Sequence, residues 1–357
     1  MSVVINEPWW PESRNERYRI RLLTQKEATI NADLDGVAGG VLDWDVDNDI
    51  RSGGNLDLYV TSQVKAVDWA AVRIAIDYIL TVDNVPHEYP MGIYIPSAPK
   101  RDISSTDEVI DLEFYDKTII LSQDCIPSTK AFASGSLKTD ALRWAISSTG
   151  EVAYDIHPST AKFTKHTVFA AGTSKLEIVS TVLDSMGWFA IYCDRNGRFQ
   201  CQPYALPSAR PVFYNFYEGD ASIHKADWTL DHDGFEVPNR VVVIGATNSK
   251  NKTLTAYAED ATSRWGLSAR GRWITKVETY ADLDKQKDVQ AKADELLKTD
   301  QDVHDSIELS HAWLPVDMND VVRFSSQGYS GMFAFRKSSV TLTPGALVES
   351  TLEGVTA

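Results

Sequence analysis

The sequence predicts a mainly β protein with α+β insertions. Two observations carry this prediction. Most apolar residues alternate with polar ones along short segments, which is the period of a strand, and only a few segments show helical spacing. The chain has 357 residues, and at roughly 100–200 residues per domain this length predicts two or three folding units. With 43% hydrophobic and 24% charged residues, the composition is that of a globular chain.

Residues 14–122 are predicted to form one mostly antiparallel β unit. Its clearest strands are the alternating segments 73–80, 91–96 and 109–115. In the last of these, Asp111 and Glu113 face away from the apolar residues between them. The Ser-Gly-Gly sequence in Arg51–Asn55 predicts a turn before the next strand.

A small α/β unit is predicted at 123–208. A short helix is expected from Thr139, which is its predicted N-cap. A second helix follows a capping box, in which Ser174 accepts a hydrogen bond from the third amide and Glu177 reaches back. The apolar residues of this helix recur at helical spacing: Leu176, Ile178, Val179, Val182, Leu183 and Met186.

Glycines mark the end of that helix and the hairpin that follows. Gly187 is predicted to end the helix, because the position needs a positive φ. Asn196-Gly197 predicts a tight turn between two alternating strands. The segment 203–211 contains three prolines and is interpreted as a linker.

A second β unit is predicted to be split into 209–248 and 306–357, with an α/β insertion at 249–305. The first part contains a buried strand at 239–245. The insertion contains a helix from about Asp282 to Lys298, whose apolar face is Val289, Ala293, Leu296 and Leu297. The final part contains strands at 306–309, 321–324, 332–335 and 339–342.

The charge balance excludes several classes of function. The chain has 35 Lys and Arg residues and 50 Asp and Glu residues, a formal net charge of −15. This excess argues against wrapping nucleic acid and against adhesion to an anionic membrane, since both need clustered cations. The amino terminus lacks the basic and apolar regions of a signal peptide, and no stretch approaches the roughly 18–20 apolar residues that span a bilayer.

The cysteines indicate a protein of the reducing cytosol. Cys125, Cys193 and Cys201 form no CxxC pair, and no Cys/His spacing resembles a zinc site. Cys193 and Cys201 flank a tight turn, and the alternation there predicts buried free thiols.

The acidic segment 43–49 is the obvious candidate for a metal site. A calcium loop of the EF-hand type needs Gly at its sixth position and Glu at its twelfth. Counted from Asp45, these positions hold Ile50 and Leu56. The segment is therefore predicted to be a solvated loop at the end of a strand, and no metal or other cofactor is expected.

No catalytic motif was found. None of the seven His residues forms an HxH or HExxH pair, and His232 between two Asp residues is interpreted as turn chemistry. Gly328-Tyr-Ser-Gly resembles half of a GxSxG elbow but is predicted to be a hairpin turn. The sequence lacks a GxGxxG after a strand and a P-loop, so no catalytic residue is assigned and the protein is predicted not to be an enzyme.

The order of these elements and several short motifs carry a resemblance to a known family. The motifs are Gly92–Pro96, Leu112–Lys117 with its Tyr-Asp-Lys element, Ala190–Tyr204, Asn239–Gly245, Tyr257–Asp260 and the turn at Met318–Val322. The chain resembles the tail hub family of tailed bacteriophages, which comprises baseplate hub proteins and the corresponding minor tail proteins of the tail tip. Asn319 stands where the family often has Gly.

The resemblance implies two tail-tube-like β-barrel domains, each accompanied by a small α/β domain. It also implies a homotrimer that presents six β domains in a ring, which connects the tail tube to the tip and lets DNA pass. The implied partners are the distal tail protein, the tape measure protein and other tail-tip proteins. The implied location is the virion, at the tail tip, after assembly in the host cytoplasm, with no specific nucleic-acid binding and no membrane insertion.

Other classes of protein remain open. A receptor- or carbohydrate-binding tail protein would need an exposed aromatic platform, which the ten Trp residues permit. Trp9-Trp10 could belong to such a platform or to a docking arm. A glycan hydrolase or peptidase would need a pocket with perturbed carboxylates or a metal, for which the sequence contains no motif. An unrelated β-rich cytosolic protein is the last alternative.

Overall fold

The computed structural model describes most of the chain, and within it two compact units. The described residues are 15–103, 108–220, 222–231, 234–247, 252–280, 283, 285–301, 305–318 and 320–355. The first unit comprises the chain up to residue 228 together with 308–355, and the second comprises 229–307. Trp9-Trp10, His232 and Asn319 lie outside the described residues.

Eight antiparallel strands form the amino-terminal part of the first unit. They are β1 Asn15–Leu23, β2 Thr29–Asn31, β3 Val37–Asp45, β4 Ser52–Tyr59, β5 Arg73–Val82, β6 Val85–Pro96, β7 Lys100–Ile103 and β8 Glu108–Asp116, with helix α1 Ser62–Lys65 after β4. The sheet order is β3-β4-β8-β6-β5-β1-β2, and β7 pairs with the first residues of β8 on the edge that β6 also uses. The predicted strands at 73–80, 91–96 and 109–115 are confirmed.

The turn predicted at Arg51–Asn55 is wrong, because Ser52–Asn55 belong to β4. The two glycines, Gly53 and Gly54, let neighbouring strands approach closely and do not form a turn. A Cβ on Gly54 would lie 1.9 Å from the carbonyl oxygen of Val41, and one on Gly53 would lie 2.8 Å from that of Phe114. The chain instead reverses just before β4, where the Asp45 amide donates to the Arg51 carbonyl at 2.8 Å.

The α/β part of the first unit follows directly. Its elements are α2 Thr118–Gln123, β9 Lys130–Phe132, α3 Lys138–Ser147, β10 Tyr154–Ile156, β11 Thr167–Phe169, α4 Lys175–Asp184, β12 Tyr192–Cys193, β13 Phe199–Cys201 and the 3₁₀ turn Pro207–Ala209. Two small sheets form, in the orders β10-β13-β12 and β11-β9. Helices α3 and α4 pack against Phe199 and Cys201 in one apolar core.

Most of the local predictions in this part are confirmed. Ser174 accepts a hydrogen bond from the Glu177 amide at 3.1 Å, as the capping box predicts. Gly187 and Gly197 have φ angles of +64° and +70°, which favour glycine. The N-cap assigned to Thr139 is wrong: α3 begins one residue earlier, at Lys138, whose amide donates to the Ala161 carbonyl at 3.0 Å.

Six strands form the carboxyl-terminal part of the first sheet. They are β14 Val212–Tyr217, β15 His224–Asp231, β19 Ser306–His311, β20 Val321–Ser326, β21 Tyr329–Thr341 and β22 Val348–Gly354. The neighbours run β15-β19-β22-β21, while β20 lies between β21 and β14. The strands predicted separately at 332–335 and 339–342 are one strand of 13 residues, β21.

Strand β21 joins the two β parts into one sheet. It pairs with β20 over its first half and with β3 over its second, from Lys337 opposite Asp45 to Thr341 opposite Val41. A register shift against β22 at Arg336 accompanies this change of partner. The prediction of a mainly β fold is confirmed, whereas the two closed barrels stay a prediction, because the order of the described strands runs from β15 to β2 without closing.

A buried ionic cluster fixes the α/β part to the first β part. The Lys117 ammonium, which is fully buried, lies 2.5 Å from Glu27 and 2.6 Å from Glu151. Arg73 contacts the same two carboxylates. Burial alone would raise the pKa of Glu151, but hydrogen bonds from Arg73 and Lys117 outweigh it and lower that pKa. Two cations and two anions therefore neutralise one another, and their mutual attraction offsets part of the cost of removing them from water.

The second compact unit is a small α/β sandwich. Its elements are β16 Arg240–Thr247, β17 Thr253–Glu259, α5 Leu267–Arg270, β18 Thr275–Thr279 and α6 Gln286–Asp300. The sheet order is β17-β16-β18. Val289 and Ala293 of α6 are buried against the sheet, as predicted. The helix begins at Gln286 and not near Asp282, which lies outside the described residues.

The close approach of β3 and β4 predicts that Gly54→Ala is strongly destabilising. The new methyl group would overlap the Val41 carbonyl, so the two strands would have to separate, at a cost of about 3 kcal/mol or more. Gly39→Ala is the matched control, since a Cβ there meets nothing within 4 Å. Chemical denaturation checks both variants, and equal free energies of unfolding would contradict this explanation of the two glycines.

Candidate functional site

A band of acidic side chains crosses one face of the continuous sheet. It covers six neighbouring strands in the order β19, β22, β21, β3, β4 and β8. The exposed or half-buried acidic residues of this band are Glu308, Glu349, Asp43, Asp45, Asp57, Asp111 and Glu113. We call this surface the acidic face.

Strand register brings these carboxylates together. Ser339 of β21 lies opposite Asp43 on one side and Glu349 on the other. Asp57 lies directly opposite Asp111. The intervening residues point to the other side of the sheet, where Leu56 and Leu112 are fully buried. The alternation of strands therefore separates an apolar core face from an acidic outer face.

Cations neutralise only one edge of the acidic face. Lys337 lies 3.0 Å from Asp45. Burial would raise the pKa of Asp45, but hydrogen bonds from the Asp47 amide and Lys337 lower it overall. In the part of the chain that the structure describes, Asp43, Asp57, Asp111 and Glu113 have no ion-pair partner. Lys100 of β7 lies opposite Asp111 in the strand register but forms no ion pair with it, so the middle of this face presents carboxylates without ion-pair contacts.

The segment 43–49 completes β3 and turns toward β4, as the solvated loop predicted from the sequence. Asp47 forms an ion pair with Arg336 at 2.5 Å, and among the described residues it belongs to no group of side chains that could hold a metal ion. Across the described residues, no three His, Cys, Asp or Glu side chains are grouped so that they could hold a metal ion. The nearby carboxylates are instead held by side chains of β21.

A cleft of about 860 Å³ lies within the first unit, where its β and α/β parts meet. Its charged lining residues are Arg51, Arg195, Arg210, Asp116, Asp155, Asp194, Asp317 and Asp320, and Tyr94, Tyr192 and Phe189 are among its aromatic ones. Arg195 lies 2.7 Å from Asp317, which links the β12–β13 hairpin to the loop before β20. The cleft is therefore a junction between parts of the fold, across which Arg195 and Asp317 form an ion pair.

Burial perturbs the titrating groups of this cleft. Burial, and then the neighbouring Asp317 charge, raises the pKa of Asp320 to about 6. The Asp317 amide donates to the Asp320 carboxylate at 2.8 Å. Burial also raises the pKa of the Cys193 thiol well above its usual value, so Cys193 stays protonated and is a poor nucleophile.

The other residues weighed as candidates have structural surroundings. All three cysteines are free thiols; Cys201 is buried and Cys193 half-buried, whereas Cys125 is exposed. His311 is buried and its Nε2 lies 2.9 Å from the Ser350 hydroxyl. The Gly328-Tyr-Ser-Gly segment is the hairpin turn predicted from the sequence, in which Ser326 pairs with Tyr329.

The comparisons with known proteins match the fold and not the sequence. No family model and no curated protein sequence matches the chain. A tail protein from Neisseria meningitidis superposes with a TM-score of 0.64 at 10% identity, covering 94% of this chain and 96% of that one. The 43 kDa tail protein of prophage MuSo2 from Shewanella oneidensis also gives 0.64 at 10% identity, covering 94% and 98%.

The chain has the fold of these two tail proteins. A chain of a Francisella PdpA–VgrG complex gives a TM-score of 0.61 at 8% identity, with 96% of this chain and 53% of that one covered. The resemblance to phage tail-tip proteins predicted from short motifs is therefore confirmed at the level of the fold. The Tyr-Asp-Lys element of that resemblance includes Lys117, which lies at the centre of the buried ionic cluster.

The acidic face was only partly visible in the sequence. The alternation in 109–115 places Asp111 and Glu113 on one outer face, and the structure agrees. The neighbouring positions of Asp43, Asp57 and Glu349 depend on pairings between distant segments, which no local pattern contains.

Directly opposed carboxylates predict that Asp57→Asn stabilises the protein. Like charges opposite each other across two strands repel, so removing one should raise the free energy of unfolding by about 0.2–1 kcal/mol at pH 7 and low salt. The gain should shrink in 1 M salt, where screening weakens the repulsion. Denaturation at both salt concentrations checks this, and a loss of stability at low salt would contradict it.

The raised pKa of Asp320 predicts a pH-dependent effect of Asp320→Asn. A carboxyl group whose folded pKa is about 6 instead of 3.8 favours folding fully below pH 3.8, and this contribution disappears as the pH rises through 6. The free energy of unfolding of the variant should therefore exceed that of the wild type by about 1–3 kcal/mol at pH 7.5 and by little at pH 4. Thermal unfolding at both pH values measures this, with the exposed Asp220→Asn as control. An equal effect at both pH values would contradict the assignment.

Proposed function

We propose that this protein is a structural subunit of a bacteriophage tail tip. In this proposal three copies form a ring, the baseplate or tail-tip hub, which connects the tail tube to the tip and lets DNA pass. The observation that carries the proposal is the likeness of fold to the two tail proteins, which extends over 94% of this chain and nearly all of each of theirs.

The continuous sheet supports a ring built from repeated β parts. Strand β21 pairs with strands of both β parts, so each subunit contributes two of them in a fixed relation. Three copies would then present six. The terminal strands β2 and β15 of the sheet offer backbone groups for pairing with neighbouring chains.

The acidic face supports a role in DNA passage. We propose that it lines the channel of the ring, where carboxylates without ion-pair contacts, such as Asp57, Asp111 and Glu113, repel the phosphates of a moving genome. A channel surface that bound DNA would slow its transit, since phosphate contacts with clustered cations are strong at physiological salt. An acidic surface keeps the duplex away from the wall.

The proposal extends to partners and location. The ring would contact the distal tail protein, the tape measure protein and other tail-tip proteins, and it would work in the virion without catalysis. It would bind no nucleic acid specifically and would not insert into a membrane. Among the described helices, none is long and apolar enough to cross a membrane.

Light scattering of the purified protein over a range of concentrations tests the ring. A trimer, or a monomer that trimerises when a tail-tip partner is added, is the expected result. A monomer that stays monomeric at every concentration and with partners present would contradict the ring. It would favour the alternative of a receptor- or carbohydrate-binding tail protein, which a glycan-binding screen would then examine.

A further inference from the structure

The second unit contains a strongly basic segment in an otherwise acidic chain. Residues 261–277 contain Arg264, Arg270, Arg272 and Lys276 and no acidic residue. The other 340 residues contain all 50 acidic residues and only 31 of the 35 basic ones. The segment therefore differs in sign from the rest of the protein.

Buried hydrogen bonds hold this segment in one conformation. Asn239 is fully buried, and its side-chain amide donates to the carbonyls of Trp265 at 3.1 Å and Arg272 at 3.0 Å. Its carbonyl oxygen accepts from the Ile274 amide at 2.8 Å. Arg270 donates to the Val237 carbonyl at 2.7 Å. Because the Asn239 side chain makes three hydrogen bonds to the backbone of this segment, the backbone that carries Arg264 and Arg272 is held in place.

The arginines stack on aromatic rings. The guanidinium carbons of Arg264 and Arg270 lie 4.4 Å and 5.4 Å from the centre of the Trp265 ring. That of Arg272 lies 4.7 Å from the centre of the Phe235 ring. We call Arg264, Arg272 and these two rings the stacked arginine patch. Stacking orders a guanidinium while leaving its in-plane N–H groups able to donate.

Two of the stacked arginines have no carboxylate partner. Arg264 and Arg272 are exposed, and no Asp or Glu side chain in the described residues pairs with either. Two other cations of this unit are paired: Arg240 lies 2.7 Å from Glu259, and Lys276 lies 3.1 Å from Asp300. The patch therefore presents ordered donors whose acceptors are missing from its own subunit.

We propose that the stacked arginine patch docks onto carboxylates of a second copy of this chain. The inference rests on the proposed ring and names a contact that helps to close it. A guanidinium binds a carboxylate through two parallel hydrogen bonds, and the remainder of the chain supplies a large excess of carboxylates. Nucleic acid fits less well, because only two free arginines would have to overcome the repulsion of the acidic remainder.

The charge-reversal variant Arg264→Glu with Arg272→Glu tests the contact. Sedimentation equilibrium at 50 mM and 500 mM NaCl gives the midpoint concentration of trimer formation for each protein. If each interface weakens about tenfold, the three interfaces of a trimer raise the midpoint about 30-fold, because it scales with the square root of the association constant. High salt should weaken the wild type, but should not weaken the variant further.

The matched control is Lys287→Glu with Lys298→Glu, which makes the same change of charge on helix α6 of the same unit. Near-ultraviolet circular dichroism checks that both variants are folded, and the control should trimerise as the wild type does. A wild-type trimer with an unchanged midpoint in the arginine variant would overturn this contact and leave the ring intact. A wild type that stays monomeric at every concentration, both alone and with a tail-tip partner, would overturn the ring, and the contact with it.

A DNA-binding measurement tests the other possible partner of the patch, which is nucleic acid. Fluorescence anisotropy of a labelled single-stranded oligonucleotide should show no binding by the wild type at 150 mM NaCl. Binding that the arginine variant loses, with an unchanged oligomeric state, would assign the patch to nucleic acid and overturn the proposal.

Discussion

The pairing of β21 with β3 is the constraint on which the rest of the first unit depends. Five residue pairs, from Lys337–Asp45 to Thr341–Val41, join segments almost at opposite ends of the chain. Closing so long a loop costs more entropy than any local turn, and the buried face of the sheet offsets it by covering Leu42 and Val340. Without this pairing the two β parts would be separate sheets, and the acidic face would be interrupted in its middle.

Local patterns predicted local structure well. The capping box at Ser174 and the positive φ of Gly197 depend on neighbours in sequence, so a short window contains the whole signal. The turn predicted around Gly53 and Gly54 was wrong for the opposite reason. Their role is to let β3 and β8 approach β4, and those strands are distant in sequence. In the same way β21 was predicted as two strands, because its partner changes halfway along, while its own backbone continues.

Charge was informative in total but not in position. The formal charge of −15 indicated repulsion of DNA, yet only strand register shows that Asp57 faces Asp111 and that Asp43 lies one strand further on. Lys117 belongs to a motif noticed in the sequence, and burial between Glu27 and Glu151 explains why a lysine is needed there. The stacked arginine patch was not predicted from the sequence. Arg and Trp residues in a loop form no periodic pattern, and their stacking depends on Asn239 and Phe235.

Electron cryomicroscopy of the purified oligomer shows whether this chain forms a ring with its acidic face toward a channel. We expect three copies around a central channel, with the carboxylates of Asp57, Asp111 and Glu113 facing the axis. A ring in which these carboxylates face outward, or an assembly without a central channel, would contradict it.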